Sequence, residues 1–322
     1  MILVCGEALI DLFAQFDDVS GPTLEVTIGG SPLNVATGLA RLDAPAGFLG
    51  GVSTDHLGAL LTNAMREEGI DTSLLKRSAR PTPLVLVAPN ADGHPSYTFY
   101  AHESAVQDVT LADIPTRLPS SVNAIALGSY ALAVEPVGTA LIALAERESR
   151  RIVISVDCNL RPTMVGPLHV WRQRIERFAR CASIIKLSDE DFAVGWGEEA
   201  RFSDQADYWL SQGAKLIVMT RGADGATAWH RSGCVSLPSP LVEVVDTVGA
   251  GDSFQAGLLA RLDQNGLLNQ VALSTLDRTS IEDAMRYANS AAGMTCHRRG
   301  ADMPRRSEVD RAMAEIASRP ID

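Results

Sequence analysis

The stretch Asp246-Thr-Val-Gly-Ala-Gly-Asp-Ser-Phe254 sets small residues against one carboxylate, Asp252, where a helical pattern begins. Gly249, Ala250 and Gly251 have little or no side chain to block a ligand. Their backbone N–H groups can therefore converge on an anion at the positive end of the following helix. That is a cradle for a phosphoryl group with a carboxylate built into it. An aspartate in such a place also serves as an ordinary helix N-cap, and this stretch alone does not separate the two roles.

A second glycine-led element, Gly29-Gly-Ser-Pro-Leu-Asn34, precedes an amphipathic pattern and is followed by Gly50-Gly-Val-Ser-Thr-Asp-His-Leu-Gly58. Gly29 and Gly30 permit close backbone approach, and the Asn34 amide offers both a donor and an acceptor, which suits vicinal sugar hydroxyls. A helix start capped by Ser31 with Pro32 in its first turn accounts for much of the same pattern. Asp11 is expected at the carboxyl end of the first strand, where open α/β sheets bind ligands. Asp157, Asn159 and Arg161 stand at alternate positions after the apolar run Ile152–Val156, at another strand exit. Thr220-Arg-Gly-Ala-Asp-Gly225 reads as a tight turn whose glycines also let a nucleotide approach the backbone. The acidic cluster after Lys186, ending at Asp191, suits Mg²⁺ held through water or simply an acid-rich first helical turn.

The elements that must position these residues alternate. Short β-rich runs at Ile2–Cys5, Ile152–Asp157, Ile184–Leu187 and Leu216–Thr220 are separated by helical patterns at Leu33–Arg41, Leu57–Glu68, Val137–Arg150, Val170–Arg180 and Gln205–Gln212. Such alternation predicts a mostly parallel sheet wrapped by helices, an α/β fold. Two regions, about 12–28 and 84–101, read instead as hairpin-like strands with turn signals at Ser20-Gly-Pro and Asn90-Ala-Asp-Gly. We expect them to join into a small β-sheet lid on a single domain spanning 1–322.

Composition excludes several classes. The 322 residues carry a net charge of −11 with no basic block, which argues against nucleic acid. Hydrophobic content of 46% and charged content of 21% are globular values, and no apolar run is long enough to span a bilayer. The amino-terminal residues lack the pattern of a secretory signal, so a cytoplasmic address is expected. Five scattered cysteines suit reduced thiols, and the six histidines show no metal-ligand spacing. There is no G-x-x-x-x-G-K-[ST] loop, no G-x-G-x-x-G after the first strand, no H-E-x-x-H and no G-x-S-x-G.

Together these motifs resemble the ribokinase-like (PfkB) carbohydrate kinase family along essentially the whole chain. Gly29 to Gly58 is similar to its amino-terminal signature, and Asp246 to Phe254 matches D-T-x-G-A-G-D-x-F residue for residue. The resemblance implies a three-layer α/β/α fold with a β-sheet lid, with Asp252 as catalytic base and Gly249, Ala250 and Gly251 as the anion hole. It further implies sugar contacts at Asp11, Gly30, Ser31, Asn34, Phe99, Asp157, Asn159 and Arg161. ATP is implied near Lys186, Ser188, Thr220, Gly222, Gly225 and Asn289, with Mg²⁺ held through water by Asp191. Asp246 and Val248 resemble part of a loop that binds a K⁺-like cation in some members.

Within the family, Gly6-Glu-Ala-Leu-Ile-Asp11, Asp157-x-Asn-x-Arg161 and Trp171 look most like fructokinases, which implies ATP-dependent phosphorylation of fructose to fructose 6-phosphate. A kinase for 2-keto-3-deoxygluconate or a riboside, and a catalytically idle sugar-binding regulator, remain alternatives. Ser31 stands where alanine is common, Cys158 where proline is common, and Val106 where an aspartate often follows alanine. In the family's N-x-x-E element Ser188 replaces asparagine and Asp191 replaces glutamate. A homodimer through the lid is expected, since a second lid would cover its exposed sheet face.

Overall fold

The chain opens with β1 (Ile2–Cys5), β2 (Leu9–Asp17), β3 (Gly21–Gly29), α1 (Ser31–Arg41), β4 (Ala46–Leu49), β5 (Gly51–Ser53), α2 (His56–Glu67), β6 (Lys76–Ser78), β7 (Leu84–Pro89) and β8 (Pro95–Tyr100). It continues through β9 (Ala124–Gly128), α3 (Val137–Glu148), β10 (Val153–Asp157), α4 (Leu168–Ala179), β11 (Ile184–Ser188), α5 (Asp189–Trp196), α6 (Phe202–Ser211) and β12 (Leu216–Thr220). The last part holds β13 (Ala226–His230), β14 (Gly233–Leu237), α7 (Ala250–Gln264), α8 (Gln270–Ser274), α9 (Arg278–Cys296) and α10 (Arg306–Ala317). This computed structural model describes residues 1–17, 21–89 and 95–317. The turn signals at Ser20 and at Asn90 to Gly93 lie outside the described residues.

An 8-stranded sheet runs in the order β14-β13-β12-β11-β10-β9-β1-β4. Neighbours from β4 to β12 are parallel, and β13 and β14 close one edge as an antiparallel hairpin. Strand residues alternate between two cores because successive side chains point to opposite faces. Ile2, Val4, Ala124 and Val153 pack with α1, α7 and α9, whereas Leu3, Cys5, Ile125 and Ile154 pack with α3, α4 and α6. Ser155 and Asp157 share the face of Val153, and Lys186 shares that of Ile184, so all three turn toward the α7 layer. Parity along two strands thus decides which polar groups face the carboxylate of α7.

A separate 4-stranded sheet has the order β3-β2-β7-β8. Its register sets Asp11 opposite Thr27 and Val85, and Val85 opposite Phe99, so Asp11 and Phe99 share one face. Asp11 therefore differs from its expected place. It lies within β2, a lid strand that starts at Leu9, and not in a loop at the exit of β1. The polar break Gly6-Glu7 ends β1, and the apolar run that resumes at Ala8 belongs to the next strand.

Candidate active site

Helix α7 begins at Ala250 behind Gly249, whose φ of 77° is left-handed. A side chain at Gly249 would approach the Ala301 Cβ to 2.6 Å, so only glycine fits that bend. Asp252 falls in the first turn of α7, is buried, and caps nothing. Its two oxygens are taken by two side chains of α1. Ser31 Oγ donates to Oδ1 at 2.6 Å and Asn34 Nδ2 donates to Oδ2 at 2.9 Å. Ser31 is not the helix cap expected from the sequence. Gly30 holds the cap position with a φ of 104° and no side-chain bond, and Ser31 is the first helical residue. Its hydroxyl is thereby free for Asp252, while Asn159 Nδ2 donates to the same Oγ at 2.6 Å.

Beside this cluster lies a buried ion pair. Asp157, the last residue of β10, and Lys186, in the middle of β11, are register partners, and Lys186 Nζ reaches Asp157 Oδ2 at 2.7 Å. Burial alone would lower the Lys186 ammonium, but the Asp157 carboxylate outweighs it and holds the group above its ordinary value. Burial pushes the Asp157 carboxyl up to about 6, with Lys186 opposing and the charges of Asp252 and Asp191 reinforcing the rise. A Cβ added at Gly251 would stand 3.1 Å from Lys186 Nζ, which locates the ammonium beside the glycine turn.

On the lid side, Asp11 is pushed up to about 6 by burial and by the charge of Asp252, with Arg161 opposing. A Cβ at Gly29 would come within 2.0 Å of Asp11 Oδ2, so the bare glycine backbone is what admits this carboxylate. The Phe99 ring meets Tyr130 edge-on at 6.2 Å between centroids, tying the lid to the end of β9. Lid, glycine turn and strand ends therefore face one another around Asp252.

The model of the pfkB family of carbohydrate kinases matches residues 1–307. The chain belongs to this family. It is accordingly a sugar kinase, and its relatives agree. A fructokinase of Rhizobium leguminosarum bv. trifolii is 36% identical over 284 residues, covering 88% of this chain and 86% of that protein. The solved fructokinase from Xylella fastidiosa with bound ATP matches with a TM-score of 0.90 at 27% identity, over 98% of this chain and 99% of that one. A fructokinase double mutant from Vibrio cholerae O395, in a fructose, ADP and potassium ion bound form, matches with a TM-score of 0.82 at 25% identity, over 96% and 97% of the two chains.

The remaining positions of this carbohydrate kinase lie as follows. Thr220 ends β12, and Gly222 and Gly225 both have left-handed φ in the turn that leads to β13. Asn289 on α9 is buried and donates to the Pro238 carbonyl at 3.2 Å. Ser188 caps α5, accepting from the Asp191 N–H at 3.0 Å, so the acid-rich first turn is present as a helix start. Asp191 Oδ1 in turn accepts the Leu160 N–H at 3.1 Å, which fixes the loop bearing Arg161. Asp246 accepts the N–H groups of Val248 at 3.1 Å and Gly300 at 2.8 Å, one on each oxygen. Among the described residues no group of three His, Cys, Asp or Glu side chains is placed to hold a metal. Cys158 and Val106 are both buried in the core.

Sequence reasoning missed Glu7. It is fully buried just after β1, accepts the Ala131 N–H at 3.4 Å, and is pushed up to about 7 by burial against the Ser129 and Ala131 bonds and the Arg161 charge. The available signal was an acid inside an otherwise apolar run. Tyr97 on β8 was missed as well, although it shares the lid face of Phe99 and senses the charges of Arg161, Asp246 and Asp11.

Proposed function

We propose that this kinase transfers the γ-phosphoryl group of ATP to O6 of fructose, giving fructose 6-phosphate and ADP. The observation that carries the reading is the position of Asp252. Its carboxylate stands in the first turn of α7, directly after the Gly249–Gly251 turn, with Asn34 on one oxygen and Lys186 beside Gly251. In this reading the sugar hydroxyl docks on Asp252, and its oxygen attacks phosphorus in line. The bond to the β-phosphate breaks with its electron pair going to ADP, and the hydroxyl proton passes to Asp252. Charge on the moving phosphoryl group is met by Lys186 and by the N–H groups of Gly249 and Gly251, the Ala250 N–H being turned to the Thr247 carbonyl at 3.2 Å. Lid residues Asp11, Phe99 and Tyr97 close over the sugar and exclude water that would compete as acceptor.

Asp157 fits as the partner that aims Lys186, its Oδ2 accepting from the ammonium at 2.7 Å while its buried Oδ1 has no partner among the described residues. Arg161 already faces Asp11 and Glu7. With Asp252 also close, an acidic sugar would meet more carboxylates than cations there, which favours a neutral sugar over 2-keto-3-deoxygluconate. The intact base and glycine turn speak against an idle regulator.

Mg²⁺ fits this site as a companion of ATP, since it is commonly held by one or two carboxylates plus substrate phosphates. Asp191 would hold it through water, and the ion would neutralise phosphate charge. The Asp246–Val248 loop is our candidate for a monovalent cation of the K⁺ type, and Thr220, Gly222, Gly225 and Asn289 for the ATP contacts. We further place the enzyme in the cytoplasm as a homodimer joined through the outer face of the lid. On that face Leu24, Val26 and Tyr100 are 52%, 52% and 59% exposed. No helix among the described residues is long and apolar enough to cross a membrane.

Coupled ADP release with Mg-ATP across fructose, glucose, ribose, tagatose, 2-keto-3-deoxygluconate and adenosine tests the reading. Turnover highest on fructose is expected. A preference for another member would reassign the substrate, and silence on all would exclude fructose and point to a sugar outside the panel or to an idle sugar-binding regulator.

A further inference from the structure

Asp252 has both carboxylate oxygens occupied by donors from α1, and the two donors differ in what else they do. Asn34 makes no further side-chain hydrogen bond among the described residues, so its amide is free to turn toward a sugar hydroxyl. Ser31 is locked. Asn159 Nδ2 donates to Ser31 Oγ at 2.6 Å, and a hydroxyl has a single proton, which must then point to Asp252 Oδ1 at 2.6 Å. The opposite assignment of the Asn159 amide would aim two acceptors, its own oxygen and Asp252 Oδ1, at that one proton. Asn159 has a left-handed φ of 32°, a conformation that asparagine tolerates better than most other non-glycine residues.

We propose that Ser31 is a positioning residue: it pins the base by Oδ1 and leaves Oδ2, shared with Asn34, as the atom that receives the sugar's proton. This rests on Asp252 being the base. The step balances simply. The sugar O–H bond breaks as the sugar O–P bond forms, the proton goes to Oδ2, and the electron pair of the breaking P–O bond leaves with ADP. Ser31 keeps its own proton throughout. Its contribution is orientation, because a carboxylate free to swing on its χ angles spends little time with one lone pair on the hydroxyl. Asn159 acts only through Ser31, by fixing the direction of the hydroxyl.

The test is a double-mutant cycle read as kcat and KM separately, with the wild type and Asp252→Asn as references. Ser31→Ala is expected to lower kcat about tenfold while changing the sugar KM by less than about threefold, as loss of one hydrogen bond to a charged group would. Ser31→Thr, which keeps the hydroxyl, should restore most of the rate. Asn159→Ala should lower kcat by a smaller factor, and Ser31→Ala with Asn159→Ala should be no slower than Ser31→Ala alone, since the two act in series. A raised KM with unchanged kcat in Ser31→Ala would make Ser31 a sugar contact and overturn the proposal. Independent, multiplying losses for Ser31 and Asn159 would overturn it too. If Asp252→Asn is inactive while Ser31→Ala turns over normally, only this proposal fails. If Asp252→Asn turns over normally, the assignment of the base fails with it. Thermal melts that match the wild type confirm that the variants are folded.

Discussion

Lys186 Nζ and Asp157 Oδ2 lie 2.7 Å apart as register partners on adjacent parallel strands, with side chains only 5% and 4% exposed. Removing either charge strands the other in the core. We expect Lys186→Met to cost about 3 to 5 kcal/mol of stability, the usual result of breaking a buried pair from one side. The same change should lower kcat, because the ammonium beside Gly251 is lost. Urea unfolding reads the first effect and steady-state kinetics the second. An unchanged urea midpoint would mean that the pair adds nothing to the fold.

Stability should fall as pH rises from about 5 to 8. Burial holds the Glu7 carboxyl up to about 7 against an ordinary 4.5, so between those values the folded chain keeps a proton that the unfolded chain has released. The native state binds more protons there, and its advantage is lost as pH rises through the folded value. Asp11 and Asp157, both raised to about 6, act in the same direction. Glu7 alone corresponds to about 3 kcal/mol. Urea unfolding of Glu7→Gln should show a flatter pH profile than the wild type, and an identical slope would show that Glu7 is not the source.

At Gly29 a methyl group would stand 2.0 Å from Asp11 Oδ2 and force that carboxylate away from the site. Gly29→Ala is therefore expected to raise the fructose KM about tenfold or more, the worth of a charged hydrogen bond. Its kcat should change little, and its melting temperature should stay near that of the wild type. Loss of kcat at constant KM would place Asp11 outside sugar binding.

The glycine turn makes a sharper demand. Gly249→Ala adds a side chain at a φ of 77° and brings it to 2.6 Å from Ala301 Cβ. The turn must open, and the N–H groups that follow it lose their aim. We expect kcat to drop about 100-fold, the scale for losing an oxyanion donor. Calorimetric titration with fructose should show sugar binding nearly intact. Near-normal turnover would rule out the turn as the seat of charge stabilisation.

Much of the architecture was legible because the central strands are short, apolar and β-branched, and the helices between them are amphipathic. Leu216–Thr220 was bounded correctly from sequence for that reason. Helix α9 (Arg278–Cys296) gave a weaker signal, since its many small and polar residues, such as Asn289 and Ser290, are themselves buried. Helix α7 is buried from Asp252 to Ala260 without a break and offers no polar stripe to read. The candidate catalytic carboxylate was visible from its glycine neighbours. Ser31 and Asn34 were legible as sugar contacts, but their bonds to Asp252 were not, because Ser31 is 221 residues away in the chain and meets Asp252 only once α1 and α7 are packed side by side. Glu7 was missed for a related reason: an acid inside the apolar run from Ile2 to Ile10 was the local signal, but that it is buried beneath the site is decided only by the folded layers.

The most direct test of the account is ADP release from Mg-ATP and fructose by the wild type and by Asp252→Asn, with fructose binding measured on both. The carboxamide keeps the shape of the side chain but has one acceptor where the carboxylate has two, so it holds only one of Asn34 and Ser31 as a donor, and it cannot take up the hydroxyl proton. We predict fructose-dependent ADP formation by the wild type, and a kcat lower by about two or more orders of magnitude in Asp252→Asn with fructose affinity nearly unchanged. Turnover by Asp252→Asn close to that of the wild type would contradict the assignment of Asp252 as the base.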